Sequence, residues 1–135
     1  MSTTLPMLGV LRPTARLLTG STYAVLGYGA LREPGQGAEE AAALMTAIRK
    51  KVQLPLSDMQ VVQVNAVTQA TCGVLLALGV VPRLSALALA GSMIPTTLAA
   101  HCFWKFEDPA IRKQQRVQFH KNMAMIGGLL FAALD

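Results

Sequence analysis

Four stretches of the chain, about 17–31, 61–81, 84–103 and 123–134, are dominated by apolar residues, and the charged residues collect between them. A bilayer core of roughly 30 Å needs about 20 helical residues, so the second and third stretches are long enough by themselves. The first reaches that length when extended back to Pro13, which includes Arg16, and the fourth when extended back past Phe119, which includes Lys121. Both cations sit near helix ends, where a long side chain can reach the headgroups. The pattern predicts spans at about 13–31, 60–81, 83–104 and 118–134.

Between the first two spans the period changes. Ala41, Leu44, Met45, Ile48 and Val52 recur at helical spacing, with Glu39 and Glu40 at the start and Arg49, Lys50 and Lys51 at the end. That order of charge complements a helix dipole. A short amphipathic helix over 38–52, lying in the membrane interface, is expected. Leu78-Gly79-Val80-Val81-Pro82-Arg83 carries turn residues between two apolar runs, so the second and third spans should be antiparallel neighbours. Asp108-Pro109 is a helix start, with Asp as cap and Pro in the first turn. From it one helix can begin in the interface and continue as the fourth span. The first stretch lacks a small-x-small exit at Tyr28-Gly29-Ala30 and is expected to stay as a helix rather than be removed as a leader.

Composition supports lipid as the solvent. Of the 135 residues 53% are hydrophobic and 14% charged, against about 25% charged in an ordinary soluble domain. The length suits one domain, 1–135. The fold class is therefore all-α, an integral membrane four-helix bundle with a short interfacial helix between helices 1 and 2. The formal charge of +5 does not point to nucleic acid, because the basic residues avoid the apolar stretches and lie in the connections. Arg12, Arg16 and Arg83 fall on one side; Arg32, Arg49, Lys50, Lys51, Lys105, Arg112, Lys113, Arg116 and Lys121 fall on the other. Three against nine predicts both long loops in the cytoplasm and both termini outside.

Small residues recur on two faces, Gly20, Ala24 and Gly27 on the first helix and Ala124, Gly128 and Ala132 on the last. Such stripes mark helix contacts. Cys72 lies about 18 Å inside the second span and Cys102 close to its starting face, counting 1.5 Å per residue, so a disulfide is not expected. Metal binding has little support: His101 and His120 are the only histidines, and no carboxylate lies in the apolar stretches. No haem or dinucleotide motif is present, and no cofactor is predicted.

Polar groups inside a bilayer ask for an explanation. Asn65 and Gln69 are four apart and share a face. His101 and Trp104 end the third helix, and His120 and Asn122 begin the fourth. Most of these lie in the half of the bundle near the basic loops, which brings His101, Trp104, Asn122, Asn65 and Gln69 within reach of one pocket. Each also has a structural reading. His101 can handle protons or ligand near neutral pH, or tie its helix to Asn122 or a backbone carbonyl. Asn65 and Gln69 can be interhelical glue. Trp104 can be an interfacial anchor or a stacking surface for a quinone ring. Pro95, followed by Thr96 and Thr97, predicts a kink whose freed carbonyl is satisfied locally.

The Gly73-to-Gly79 apolar run with Pro82-Arg83, His101-x-Phe103-Trp104, Asp108-Pro109 and Phe119-x-Lys121-Asn122 leading into Gly127-Gly128 resemble the DoxX family of small four-helix bacterial membrane proteins. The resemblance begins near residue 12 and is most specific between 69 and 131. It implies a bacterial inner-membrane setting and a link to membrane oxidoreductases, the family being named from a terminal quinol oxidase subunit. A glutamate is frequent in the family near the position of Gln69; this chain has a neutral amide there. The expected function is an accessory or anchoring subunit of a quinone-linked oxidoreductase, without its own cofactor or electron transfer. Quinone would be contacted beside His101, Trp104 and Asn122. The expected partners are the lipid bilayer and either a protein of the same complex or further copies of this chain. Two alternatives come from other classes: a small-molecule or lipid binding or transport protein using the Pro95 region and the Asn65–Gln69 face, and a purely structural membrane subunit. The binding alternative predicts a ligand-sized cavity; a bundle packed solid there would exclude it.

Overall fold

A computed structural model describes residues 4–135. It contains five α-helices and one short 3-10 turn: α1 Thr4–Arg32, α2 Pro34–Arg49, α3 Asp58–Leu78, α4 Pro82–Ala100, a turn Phe103–Lys105, and α5 Pro109–Leu134. Two helical segments, Asp58–Leu78 and Pro82–Lys105, are long and apolar enough to cross a membrane, with mean hydropathies of 1.6 and 1.4.

The sequence placed the helices correctly but several ends differ. α1 begins at Thr4 and carries Pro13 in its interior, because a helix continues past a proline when the neighbouring structure accommodates the lost N–H bond. α2 starts at Pro34, one residue after α1, with the proline in its first turn where no N–H is needed. α3 opens with a capping box: Ser57 Oγ accepts from Gln60 N at 3.2 Å while Ser57 N donates to Gln60 Oε1 at 3.0 Å. It closes on Gly79, whose φ of 72° is left-handed, with Val80 N donating to Leu75 O. α4 stops at Ala100 rather than 104: His101 leaves the helical region (φ −128°, ψ 35°) and the aromatic residues form the separate turn. α5 is one continuous helix from Pro109, capped by Asp108, which accepts from Ala110 N at 2.9 Å.

α1 and α3 run antiparallel along a seam of small residues. A Cβ on Gly20 would meet the backbones of Ala77 and Gly73, and one on Gly27 would meet those of Ala70 and Ala66. The stripe Gly20–Ala24–Gly27 is therefore a contact face. The stripe on α5 is not a seam of this kind, since a Cβ on Gly128 would meet nothing within 4 Å. α4 packs between α3 and α5 and supplies most of the core: Ala86, Leu89, Ala90 and Met93 meet Tyr23 of α1, Leu76 of α3 and Leu129 of α5. One end of the bundle is tied by arginines. Asp135 takes Arg12 at 3.0 Å and Arg16 at 3.6 Å on its carboxylate, and Arg83 Nη2 donates to its backbone oxygen at 2.7 Å. The start of α1, the α3–α4 turn and the end of α5 thus share one end.

α2 packs on α3 and α4 at the other end. Ala41 and Met45 are buried, and Gly37 approaches Val62 so closely that a Cβ would lie 2.9 Å from its Cγ1. The apolar stripe of α2 is thereby covered in part: Leu44 and Ile48 are half-buried, and Val52, beyond the helix end at Arg49, is exposed. The following loop is pinned by Arg49, whose Nη1 reaches Asp58 Oδ1 at 2.6 Å and whose Nη2 donates to Leu56 O at 2.8 Å.

Candidate functional site

Where α2 lies across α3 and α4, its contact is incomplete and leaves a cleft of about 300 Å³. Ala41, Leu44, Met45 and Ile48 of α2 form one wall, Val61, Val62, Ala66 and Leu54 another, and Pro95, Ala99 and Ala100 of α4 a third. Small side chains on α4 explain the space: Ala99 and Ala100 stand where larger residues would fill it. The floor is polar, with Asn65, Gln69 and Thr96, and Glu40 contributes a carboxylate. Mostly apolar walls with a few convergent polar groups are the usual make-up of a small-molecule site.

The floor is a connected network. Ser92 Oγ donates to Asn65 Oδ1 at 2.6 Å; Asn65 Nδ2 donates to Thr96 Oγ1 at 2.9 Å; Thr96 Oγ1 donates to Ser92 O at 2.9 Å. Gln69 Nε2 points to the same Thr96 Oγ1 at 3.4 Å and to Met93 Sδ at 3.8 Å. Two i, i+4 pairs, Asn65–Gln69 on α3 and Ser92–Thr96 on α4, face each other, so four polar side chains meet across one helix interface. Pro95 cannot donate to the carbonyl four residues back, and the hydroxyls of Thr96 and Thr97 bond the adjacent Ser92 O and Met93 O, at 2.9 and 2.7 Å.

The five residues expected near one pocket divide between two faces of α4. Thr96 and Thr97 are neighbours in sequence and point to opposite sides. Thr96 joins Asn65 and Gln69 in the cleft, while Thr97 Oγ1 accepts from Asn122 Nδ2 of α5 at 3.1 Å. His101 ties the end of α4 to α5 through Gln115, whose Oε1 accepts from His101 Nδ1 at 2.7 Å. Neither His101, Trp104 nor Asn122 lines the cleft. Trp104, 48% exposed, belongs to an aromatic cluster with Phe103 and Phe119, all three pairs edge-on with centroids 5.2–5.6 Å apart. Arg116 lies over the Phe103 ring at 5.3 Å, and His120 Nδ1 donates to Arg116 O at 2.9 Å. Both cysteines are free thiols, and Cys102 Sγ donates to Leu98 O at 2.7 Å.

The sequence did not point to Ser92 or Gln115, and it marked Thr96 only for the Pro95 kink and the α2 stripe only as an interfacial face, neither as part of a pocket. The matching four-residue spacings of Ser92–Thr96 and Asn65–Gln69 were a readable signal for Ser92 and Thr96; the α2 wall required knowing where α2 docks. A second cavity, about 380 Å³ between α1 and α5, is lined by Leu11, Thr19, Gly128 and Phe131 and headed by Arg12, Arg16 and Asp135. Its charged groups are already paired with one another.

A family model described as DoxX matches residues 12–102, from α1 to the end of the α4 segment. The match covers the whole cleft and leaves out α5. No curated protein and no solved structure matches the chain.

Proposed function

The chain belongs to the DoxX family of membrane proteins, and we propose that it spans the bilayer with α1, α3, α4 and α5 and holds a small, largely apolar molecule in the cleft between α2, α3 and α4. The cleft carries this reading: about 300 Å³ of space with mostly apolar walls, beside a polar floor whose Gln69 Oε1 has no donor among the described residues. A purely structural bundle gains nothing from leaving that space open, because an unfilled void forfeits dispersion contacts.

Membrane spanning is supported by outward-facing apolar side chains. Leu17, Leu18, Val25 and Leu26 on α1, Leu84 and Leu87 on α4, and Phe131 and Leu134 on α5 are all exposed. Water gives no reason for so many such residues, whereas lipid does. At 29 and 26 residues, α1 and α5 exceed the roughly 20 that a bilayer core requires. With Arg12, Arg16 and Arg83 at one end and nine basic residues towards the other, the end bearing α2 lies in the cytoplasm of a bacterial inner membrane and both termini lie outside. A cytoplasm-active reporter fused after Asp135 should be silent; activity would reverse the orientation.

Native mass spectrometry of the full chain, released from mild detergent, tests ligand binding directly. A bound small molecule is expected on the wild type and should be lost from Ala99→Phe, which fills the cleft. Retention by Ala99→Phe, or a bare wild type, would remove the proposal.

The exposed aromatic cluster favours a second role for a different surface. Phe103, Trp104 and Phe119, with Arg116 over the Phe103 ring, make an apolar and basic patch suited to docking an oxidoreductase partner, with the chain as its accessory subunit and quinone contacted at this surface rather than in the cleft. His101 and Asn122 then position the helices behind the patch. Trp104→Ala should release a redox partner that co-purifies in mild detergent; a homo-oligomer with no partner and no response to quinone would sink this role.

A further inference from the structure

The hydrogen-bond network under the cleft has a direction, and the direction leaves one oxygen without a donor. Thr96 spends its only proton on Ser92 O at 2.9 Å, so its oxygen can only accept from the two amides that approach it. Asn65 must therefore turn its NH₂ towards Thr96, which agrees with Ser92 Oγ donating to Asn65 Oδ1 at 2.6 Å. Gln69 must likewise turn its NH₂ towards Thr96 and Met93. Amide orientation is here fixed by its neighbours rather than chosen freely.

Asn65 then has a partner at each end. Gln69 does not: among the described residues nothing donates to its Oε1. Gln69 is only 6% exposed, and it lines the cleft among alanine, valine and proline. The oxygen is not sealed in, since the Tyr23 hydroxyl is the only fully enclosed side-chain group without a partner among the described residues; Gln69 Oε1 keeps some accessible surface in a mostly apolar cleft, where a donor is worth more than in water. No lysine or arginine lines the cleft, and its one charged residue, Glu40, is an acceptor as well. Asn65 Nδ2 has a second N–H beyond its bond to Thr96, so a hydroxyl, which both donates and accepts, can answer both amides, whereas a group that only accepts leaves Gln69 Oε1 unmatched.

Resting on the ligand-binding reading above, we infer that the cleft selects neutral apolar molecules whose polar end is a hydroxyl donor, placed to reach Gln69 Oε1. Ketones, ethers and carboxylates of the same shape bring acceptors to an oxygen that needs a donor, and a carboxylate also meets Glu40. Apolar alcohols and phenols are the fitting class.

The test compares 2-naphthol with 2-methoxynaphthalene and 2-acetonaphthone, which keep the ring system and remove the donor. Dissociation constants for the full-length protein in detergent micelles are measured by titration calorimetry, with micelle partitioning subtracted. Wild type should bind the naphthol roughly tenfold more tightly than either analogue, the size of one hydrogen bond to a buried group. Gln69→Leu should bind all three alike. Ala99→Phe should bind none. Equal affinities in the wild type, still abolished by Ala99→Phe, overturn the donor preference and leave the cleft as a binding site. Binding that is absent, or indifferent to Ala99→Phe, overturns the site itself. Should Gln69→Leu fail to fold, the three wild-type constants decide alone.

Discussion

Replacing Gly20 by alanine places a methyl group where α1 and α3 have no room for one. A Cβ there falls on the backbone nitrogen of Ala77 and the carbonyl oxygen of Gly73; the reciprocal Cβ on Gly73 would lie 2.5 Å from Ala24 N and 2.7 Å from Gly20 O. These neighbours are backbone atoms and cannot swing aside as a side-chain tip can. Restoring ordinary contact near 3.5 Å requires the helices to part by about 1 Å, and a gap of 0.5–1 Å already forfeits a quarter to a half of each dispersion contact. Overpacking typically costs about 1–3 kcal/mol. The length of this seam puts Gly20→Ala at the upper end, about 3 kcal/mol, or somewhat more than a hundredfold in the folded population. Gly91→Ala and Gly128→Ala are the controls, because their Cβ atoms would meet nothing within 4 Å; such changes ordinarily shift stability by about 0.5 kcal/mol or less. Thermal unfolding in detergent, followed by Trp104 emission and the monodisperse peak on gel filtration, should separate Gly20→Ala from both controls. A Gly20→Ala protein as stable as the Gly128→Ala control would mean that the seam is not as close as described.

Three further substitutions probe separate features. Tyr23 is 1% exposed and its hydroxyl has no hydrogen-bond partner; an unmatched buried hydroxyl costs about 1–3 kcal/mol, so Tyr23→Phe should raise the unfolding temperature, and a fall would reveal a partner for that oxygen. Val81 sits in the left-handed region at φ 38°, where a β-branched residue is strained by about 1–3 kcal/mol. Val81→Gly should therefore stabilise the α3–α4 turn by about 1 kcal/mol after the added chain entropy, read from the same melting curves. Thr96→Val removes the oxygen that both Asn65 and Gln69 address, and should cost about 1 kcal/mol in a membrane helix pair; no loss of stability would show that the two amides do not depend on it.

The helices were legible because apolar runs and turn residues are local signals. The α3–α4 turn, the Asp108 cap and the continuity of α5 followed from a few residues each. What the pattern did not carry was the rotation of α4. The adjacent residues Thr96 and Thr97 could each have faced either neighbour, and their opposite directions decide that Asn65 and Gln69 belong to one site and Asn122 to another. Gly20 and Gly128 were equally suggestive as small residues, yet one is in a seam and the other beside a groove, since a stripe says that approach is possible and not which helix approaches. His101 meets Gln115 in the polar first half of α5, a segment the Asp108-Pro109 start predicts, but nothing in the spacing says which of its polar residues faces the end of α4. The α2 boundary shows the same weakness: Pro34 reads as a loop residue until it is seen to be the first turn of the helix.

The position of α2 separates two tasks along the chain. The α1–α3 seam, the core around Leu89 and the arginine clasp on Asp135 make no use of α2, while Ala41, Leu44, Met45 and Ile48 make one side of the cleft. A change at those four positions reshapes the cleft and the docking of α2, and leaves the seam, the Leu89 core and the arginine clasp as they are. The segment from Glu33 to Leu56 is thus an exchangeable panel, through which one wall of the cleft can be changed by substituting a single short stretch of sequence.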